Sequence, residues 1–81
     1  MNNYYVSTAN ETNFNKIVDT ITSKFPDAVK EKKLIDVDDT IIQPFTLSNK
    51  KIMVSCCVWE DEIWVKSEID LSDIDFKSVL N

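Results

Sequence analysis

The sequence predicts an α+β fold, in which an antiparallel sheet of four or five strands packs on one long helix. Two observations predict it: apolar residues recur at helical spacing in the first third, and the period changes to two from Lys33 onward. The later strands leave no room for helices between them, so we expect a meander. The predicted order is β-α-β-β-β-β with a short C-terminal helix, and 81 residues form a single globular domain, 1–81.

A first strand and the long helix occupy the N-terminal third. Aromatic and β-branched residues at positions 4–6 predict the strand, which could border either the last strand or the second. Thr8 with Glu11 has the spacing of a capping box, and Asn10 is a competing cap. One stripe of a helix follows, which we interpret as core: Phe14, Ile17, Val18, Ile21 and Phe25. Pro26 ends the helix, because the residue before a proline avoids the helical region.

Four segments with alternating apolar residues predict the remaining strands, and two turns set their register. If Asn49 and Lys50 form a two-residue loop, Phe45 faces Val54. If Glu60 and Asp61 form the next loop, all the inward residues share one apolar face. These inward residues are Ile41, Phe45, Leu47, Ile52, Val54, Cys56, Val58, Ile63, Val65 and Ile69.

Two features near the ends of this sheet complete the elements. Pro44 lacks an amide hydrogen, which predicts an edge position or a bulge for its strand. Near the C-terminus, Leu71 and Phe76 flank Ser72 and Asp75 at capping spacing. This arrangement predicts a short helix over residues 73–80.

Composition excludes most catalytic templates. The chain has no glycine, histidine or arginine. It therefore offers no glycine-rich phosphate loop, no imidazole base or metal ligand, and no bidentate guanidinium. We expect no catalytic residues, no metal site and no cofactor, and hence a binding protein rather than an enzyme.

One short motif has a catalytic counterpart. Asp36, Asp38 and Thr40 resemble the first motif of the haloacid dehalogenase phosphatases, which implies a nucleophilic aspartate, a general acid and Mg²⁺. That family has a parallel sheet in a longer chain, whereas here the motif closes an antiparallel hairpin. We therefore interpret Asp38 and Asp39 as turn residues. A weak cation site among these aspartates is the alternative.

The expected compartment is the cytoplasm. The N-terminus shows no basic and apolar leader, and no apolar run is long enough for a membrane span. Cys56 and Cys57 are neighbours, whose side chains point to opposite faces of a strand, so we expect free thiols and not a disulfide.

The second face of the sheet is expected to carry an aromatic patch. In the predicted register Cys57 lies opposite Trp64, with Trp59 a diagonal neighbour. Tryptophan is common at interface centres, which favours a partner-binding surface. Alternatively, the terminal helix or the first strand covers both rings as a minor core, or the face forms a homodimer.

Acidity is concentrated in the second part of the chain. Residues 1–33 hold five lysines and four acids, whereas residues 34–81 hold four lysines and ten acids. Such a cluster can attract a basic surface, although it can also serve only solubility. The predicted partner-binding residues are Trp59, Glu60, Asp61, Glu62, Trp64, Glu68, Asp70, Asp73 and Asp75.

These features predict a small acidic inhibitor that binds a basic surface of a protein or nucleoprotein complex. We expect no direct binding of nucleic acid, because affinity for phosphates comes from basic side chains. The leading hypothesis is a phage or mobile-element protein that blocks a nucleic-acid channel of a host defence complex by partial nucleic-acid mimicry, as an anti-CRISPR does. The alternatives are an antitoxin or immunity protein covering a nuclease, and a self-associating structural domain.

Overall fold

A six-stranded antiparallel sheet carries one long helix in the computed structural model, which describes residues 1–80. The elements are β1 (Asn2–Ser7), α1 (Glu11–Lys24), β2 (Val29–Lys30), β3 (Leu34–Ile35), β4 (Ile41–Leu47), β5 (Lys50–Cys57), β6 (Glu62–Ser67) and α2 (Phe76–Val79). The predicted α+β class is confirmed, and β2 is a short addition to the predicted strands. The strand order is β1-β6-β5-β4-β2, with β3 pairing with β4 beside β2, so the first strand borders the last.

The predicted helix stripe forms the centre of the core. Asn10, not Thr8, is the N-cap of α1, and its side chain accepts a hydrogen bond of 2.9 Å from the Asn13 amide. The helix ends at Lys24, and its C-cap, Phe25, stands immediately before Pro26. One face of α1 is buried against the sheet through Phe14, Ile17, Val18 and Ile21.

The covered face of the sheet is the one predicted from the alternation. Its fully buried members lie on β4, β5 and β6: Phe45, Ile52, Val54, Ile63 and Val65. Val6 of β1 and two C-terminal residues, Leu71 and Phe76, complete the same core. The C-terminal segment thus packs on the helical side, where α2 contacts α1 and β1.

The register of the first hairpin differs from the prediction by two residues. Leu47 pairs with Lys50, so the loop is Ser48 and Asn49, and Phe45 faces Ile52 instead of Val54. Both loop residues have positive φ, 50° and 66°. The predicted loop would have placed Lys50 in this left-handed region, which asparagine tolerates better than lysine. A slip of two residues keeps every side chain on its face, and the core is therefore unchanged.

The second hairpin slips in the same way. Cys57 pairs with Glu62, which leaves a four-residue loop from Val58 to Asp61 instead of the predicted two-residue loop. Only Asp61 has positive φ there, at 55°. A two-residue loop of the favoured type would have required positive φ at Glu60 as well. As a consequence Val58 leaves the core and is 63% exposed.

Pro44 lies within β4 opposite a break in the neighbouring strands. β4 pairs with β5 along its whole length. On the other side of β4, β2 pairs only with the C-terminal part of the strand and β3 only with its N-terminal part. The Pro44 carbonyl accepts from the Glu31 amide at 3.0 Å, so the proline nitrogen also faces β2 and β3, where the strands are interrupted. The missing amide hydrogen therefore leaves the pairing with β5 intact. The predicted edge position or bulge is wrong, because β4 is an inner strand with regular pairing to β5 and tolerates Pro44 at the gap between β2 and β3.

The terminal helix is shorter than predicted. It covers Phe76–Val79, and its N-cap is Asp75, not Ser72. The Asp70 carboxylate instead accepts from the Ser72 amide at 2.8 Å, which fixes a turn ahead of the helix. Neither α1 nor α2 has the length and apolar character needed to cross a membrane.

Candidate functional site

The sheet face opposite α1 remains uncovered, and we call it the open face. One row of side chains crosses it through five strands, because each member is paired with the next. This open-face row consists of Tyr5, Trp64, Ser55, Ile42 and Leu34. The alternative in which the terminal helix or the first strand covers this face is wrong, because α2 packs on the helical side and β1 joins the sheet beside β6.

Trp64 is the central aromatic residue of the open face. Its ring is half-buried and meets the Tyr5 ring edge to face, with centroids 5.5 Å apart and planes at 73°. The Glu62 carboxylate accepts a hydrogen bond from the Trp64 indole nitrogen. Edge-to-face packing and a satisfied indole N–H hold the ring in one orientation. Trp64 is thus a preorganised apolar surface beside a negative charge.

Trp59 does not join Trp64 in a cross-strand cluster. The two-residue slip moves it from β5 into the β5–β6 turn, where it is 79% exposed. On the strand, Ser55 takes the place opposite Trp64, and Cys57 lies opposite Glu62. The predicted Cys57 and Trp64 pair is therefore wrong, although both tryptophans have solvent-accessible rings.

An acidic edge flanks the open-face row on the side of the β3–β4 and β5–β6 turns. A concavity of ≈ 680 Å³ contains Trp64 and Ser55 in its lining, together with four carboxylates and one lysine. The carboxylates are Asp36, Asp38, Glu60 and Glu62, and we call them the acidic edge. The aspartates were not among the predicted binding residues. Alternate turns of a meander lie at the same end of the sheet. The predicted topology was therefore sufficient to place the β3–β4 turn and the β5–β6 turn close to each other.

The predicted acidic set separates into two groups. Glu60 and Glu62 belong to the acidic edge, while the other acids have local structural partners. Asp61 accepts from the Ala9 amide, Glu68 from the Lys51 amide, and Asp70 from the Ser72 amide and the Tyr4 hydroxyl; Asp73 pairs with Lys24, and Asp75 caps α2. The sequence therefore overestimated how many of these carboxylates share one surface.

The β3–β4 turn holds its aspartates through backbone hydrogen bonds. Asp36 accepts from the Val37 amide at 2.8 Å, and Asp39 has a positive φ of 65°. Hydrogen bonds from the Thr40 hydroxyl and amide lower the pKa of Asp38, which keeps this carboxylate charged in mild acid. The turn interpretation is confirmed. In the part of the chain that the structure describes, no three potential ligands form a metal-binding group, so the cation alternative has no structural support.

Most of the acidic edge is uncompensated. Among residues 1–80 the single ion pair joins Lys24 to Asp73, at 3.7 Å, on the helical side. The lysines of the sheet lie towards its other end: Lys50 and Lys51 follow the β4–β5 turn, and Lys66 lies two residues beyond Trp64 on β6. The open face therefore has an acidic end, an apolar middle and an opposite end, here called the lysine end, where Lys51 and Lys66 lie together with Glu68.

A second concavity, of ≈ 400 Å³, lies where α1 begins. Phe14, Ile41, Cys56 and Val58 form much of its lining. Both cysteines are free thiols, and burial raises the pKa of Cys56, so this thiol stays protonated at neutral pH. The lining of this concavity thus includes a neutral thiol.

Comparisons with protein-family models, curated proteins and solved structures find no match to this chain. What the protein binds is therefore inferred from its own surface chemistry.

Proposed function

We propose that the protein is a small inhibitor that binds a basic, nucleic-acid-binding surface of another macromolecule through its open face. One observation carries the proposal: an uncovered aromatic and aliphatic row is flanked along one side by four carboxylates, none of which has a lysine partner within the described residues. Apolar side chains supply the desolvated centre of an interface, and uncompensated charge steers a partner of opposite sign.

The charge distribution supports a basic partner over a neutral one. The acidic edge concentrates negative charge at one end of a face whose centre is apolar, much as phosphates flank stacked bases. A channel that binds guide or target strands presents the complementary chemistry, with lysines and arginines around aromatic or apolar surface. We therefore propose an anti-CRISPR type of activity as the specific function, in which carboxylates occupy phosphate positions.

The test is a binding and cleavage assay with a purified CRISPR effector, with and without its guide RNA. We expect the protein to bind the guide-free effector and to reduce target cleavage. Binding should weaken as salt rises from about 0.05 to 0.5 M, because exposed charges are screened over roughly 10 Å at 0.1 M. A purified nuclease in the same assay tests the immunity-protein alternative, which uses the same surface on another basic target.

Two matched charge reversals locate the binding surface. Glu60→Lys alters the acidic edge at an exposed residue of the β5–β6 turn. Asp19→Lys makes the same change in charge at an exposed position of α1, on the other side of the sheet. We expect Glu60→Lys to weaken binding by about tenfold or more, as reversal of a close charge often does, and Asp19→Lys to leave it nearly unchanged. Equal effects of the two variants would remove the open-face assignment.

A further inference from the structure

The two edges of the sheet are protected to different degrees. On one side, β2 and β3 are only two residues long, and the segment that joins them, Glu31–Lys33, is fully charged. Short and charged strands are the usual means by which proteins prevent unwanted strand pairing. On the other side, β1 has six residues, Asn2–Ser7, and none of them is charged or proline. This difference is notable in a chain with 28% charged residues.

The outer edge of β1 is free to accept another strand. β1 lies at the end of the strand order and pairs with β6 alone among the strands of residues 1–80. Alternate backbone N–H and C=O groups of an edge strand point away from its neighbour, where only solvent or a new strand can satisfy them. Tyr5 also leaves 44% of its surface exposed at this edge, next to Trp64.

We propose that β1 pairs antiparallel with β1 of a second copy, which joins the two sheets across a twofold axis. A bulge interrupts β1 between Tyr5 and Ser7, so its regular part is residues 2–5. Two registers about a twofold axis pair three of these four residues. The proposed one sets Tyr4 opposite Tyr4 of the second copy and Asn3 opposite Tyr5, which brings both tyrosines into the contact. Such a contact is isologous, because each residue pair occurs twice.

Charge favours a second copy as the occupant of this edge. The twofold axis is perpendicular to the sheet, so the open faces of both copies lie on the same side of the joined sheet. One copy is rotated by half a revolution relative to the other within the plane of the sheet. The acidic edge of one copy then lies at the same end of the joined sheet as the lysine end of the other, and the two acidic edges are kept apart. The strand-edge contact does not rest on the proposed function. The variant Glu60→Lys, which tests that function, should therefore dimerise like the unaltered protein.

The test uses two double variants that differ at a single residue. In Asn3→Lys with Tyr5→Lys, the pairing sets lysine opposite lysine twice, and like charges directly opposite are destabilising. In Asn3→Lys with Tyr5→Glu, the same positions set lysine opposite glutamate, and the net charge of the chain stays at −5. Both variants lose the contact of Tyr5 with Trp64, so they are matched in this respect.

Sedimentation equilibrium from about 10 μM to 1 mM is the readout. We expect dimers for the unaltered protein and for the lysine–glutamate variant, and a dimer Kd raised by about tenfold or more for the lysine–lysine variant. An unaltered protein that is monomeric throughout, or a lysine–lysine variant that dimerises equally well, would overturn the proposal. Loss of dimer in both variants would refute the register centred on Tyr4. If either variant unfolds, hydrogen exchange of the unaltered protein decides: β1 amides should exchange more slowly at high concentration.

Discussion

Removing the same atoms from the two faces of the sheet should have different costs. Ile52 on β5 is fully buried under α1, whereas Ile42 on β4 is only partly buried, in the open-face row. Both are strand residues, so truncation to alanine changes their strand propensity similarly and the propensity term largely cancels in the comparison. The remaining difference between the two variants in the free energy of unfolding reports how well each face of the sheet is covered.

The expected magnitudes follow from burial. Ile52→Ala should lower the free energy of unfolding by about 2 to 5 kcal/mol, because it leaves a cavity in a closed core. Ile42→Ala opens no enclosed cavity and removes less buried surface, so its cost should be about 1 kcal/mol. For a domain of 81 residues the total stability is on the order of 4 to 12 kcal/mol. Each kcal/mol shifts the Tm by about 4 to 8 °C.

Urea denaturation followed by far-ultraviolet circular dichroism measures both variants. Ile52→Ala should lower the midpoint strongly, with an unchanged slope, and its Tm should fall by more than about 10 °C. Ile42→Ala should lower the Tm by only about 4 to 8 °C. A loss at Ile42 as large as that at Ile52 would refute the open face, because it would require a closed core on both sides of the sheet.

Three further predictions test local features. Acrylamide should quench the fluorescence of Trp59 more readily than that of Trp64. Trp64→Phe should therefore leave a red-shifted and accessible emission, and Trp59→Phe a more protected one. Equal quenching in the two variants would contradict the turn position of Trp59. Asn49→Gly should preserve or raise the melting temperature, whereas Asn49→Ala should lower it, because alanine costs roughly 1 to 2 kcal/mol in the left-handed region. A glycine variant that melts below the alanine variant would refute the positive φ of Asn49. Hydrogen bonds from the Ser78 hydroxyl and amide lower the pKa of Asp75, so its stabilising contribution is complete above the ordinary value of about 3.9 and is lost as the pH falls through the lowered value. Carboxyl NMR titration should therefore show a higher pKa for Asp75 in Ser78→Ala, and an unchanged pKa would contradict the cap.

Alternation and helical spacing were sufficient to predict the layers. The stripe containing Ile17 and Ile21 is buried, and Ile52, Val54 and Ile63 lie on the covered face. The hairpin registers were not accessible from the same pattern, because a slip of two residues preserves which face each side chain occupies. The turns set the registers through their backbone conformation. The chain has no glycine, so the left-handed turn positions are occupied by asparagine, serine and aspartate.

The binding surface was predicted less completely than the fold. Trp64, Glu60 and Glu62 lie on or beside the open face as expected, whereas Trp59 moved into a turn with the register. Carboxylates that follow β6 were assigned to the surface by their proximity in sequence, but hydrogen bonds to nearby backbone amides occupy them. Asp38 belongs to the acidic edge although it lies on another hairpin. It was interpreted only as a turn residue, although the predicted meander places its turn and the β5–β6 turn at the same end of the sheet.

Hydroxyl-radical footprinting of the complex with a guide-free CRISPR effector tests the open face most directly, because it reads side chains individually. We predict that oxidation of Tyr5, Trp64 and Met53, the open-face residue two positions before Ser55 on β5, falls in the complex. Partly buried Phe25 at the end of α1 should be oxidised at the same rate with and without the effector. Protection of Phe25 with unchanged oxidation of Trp64 would show that the partner binds the helical side and would contradict the account.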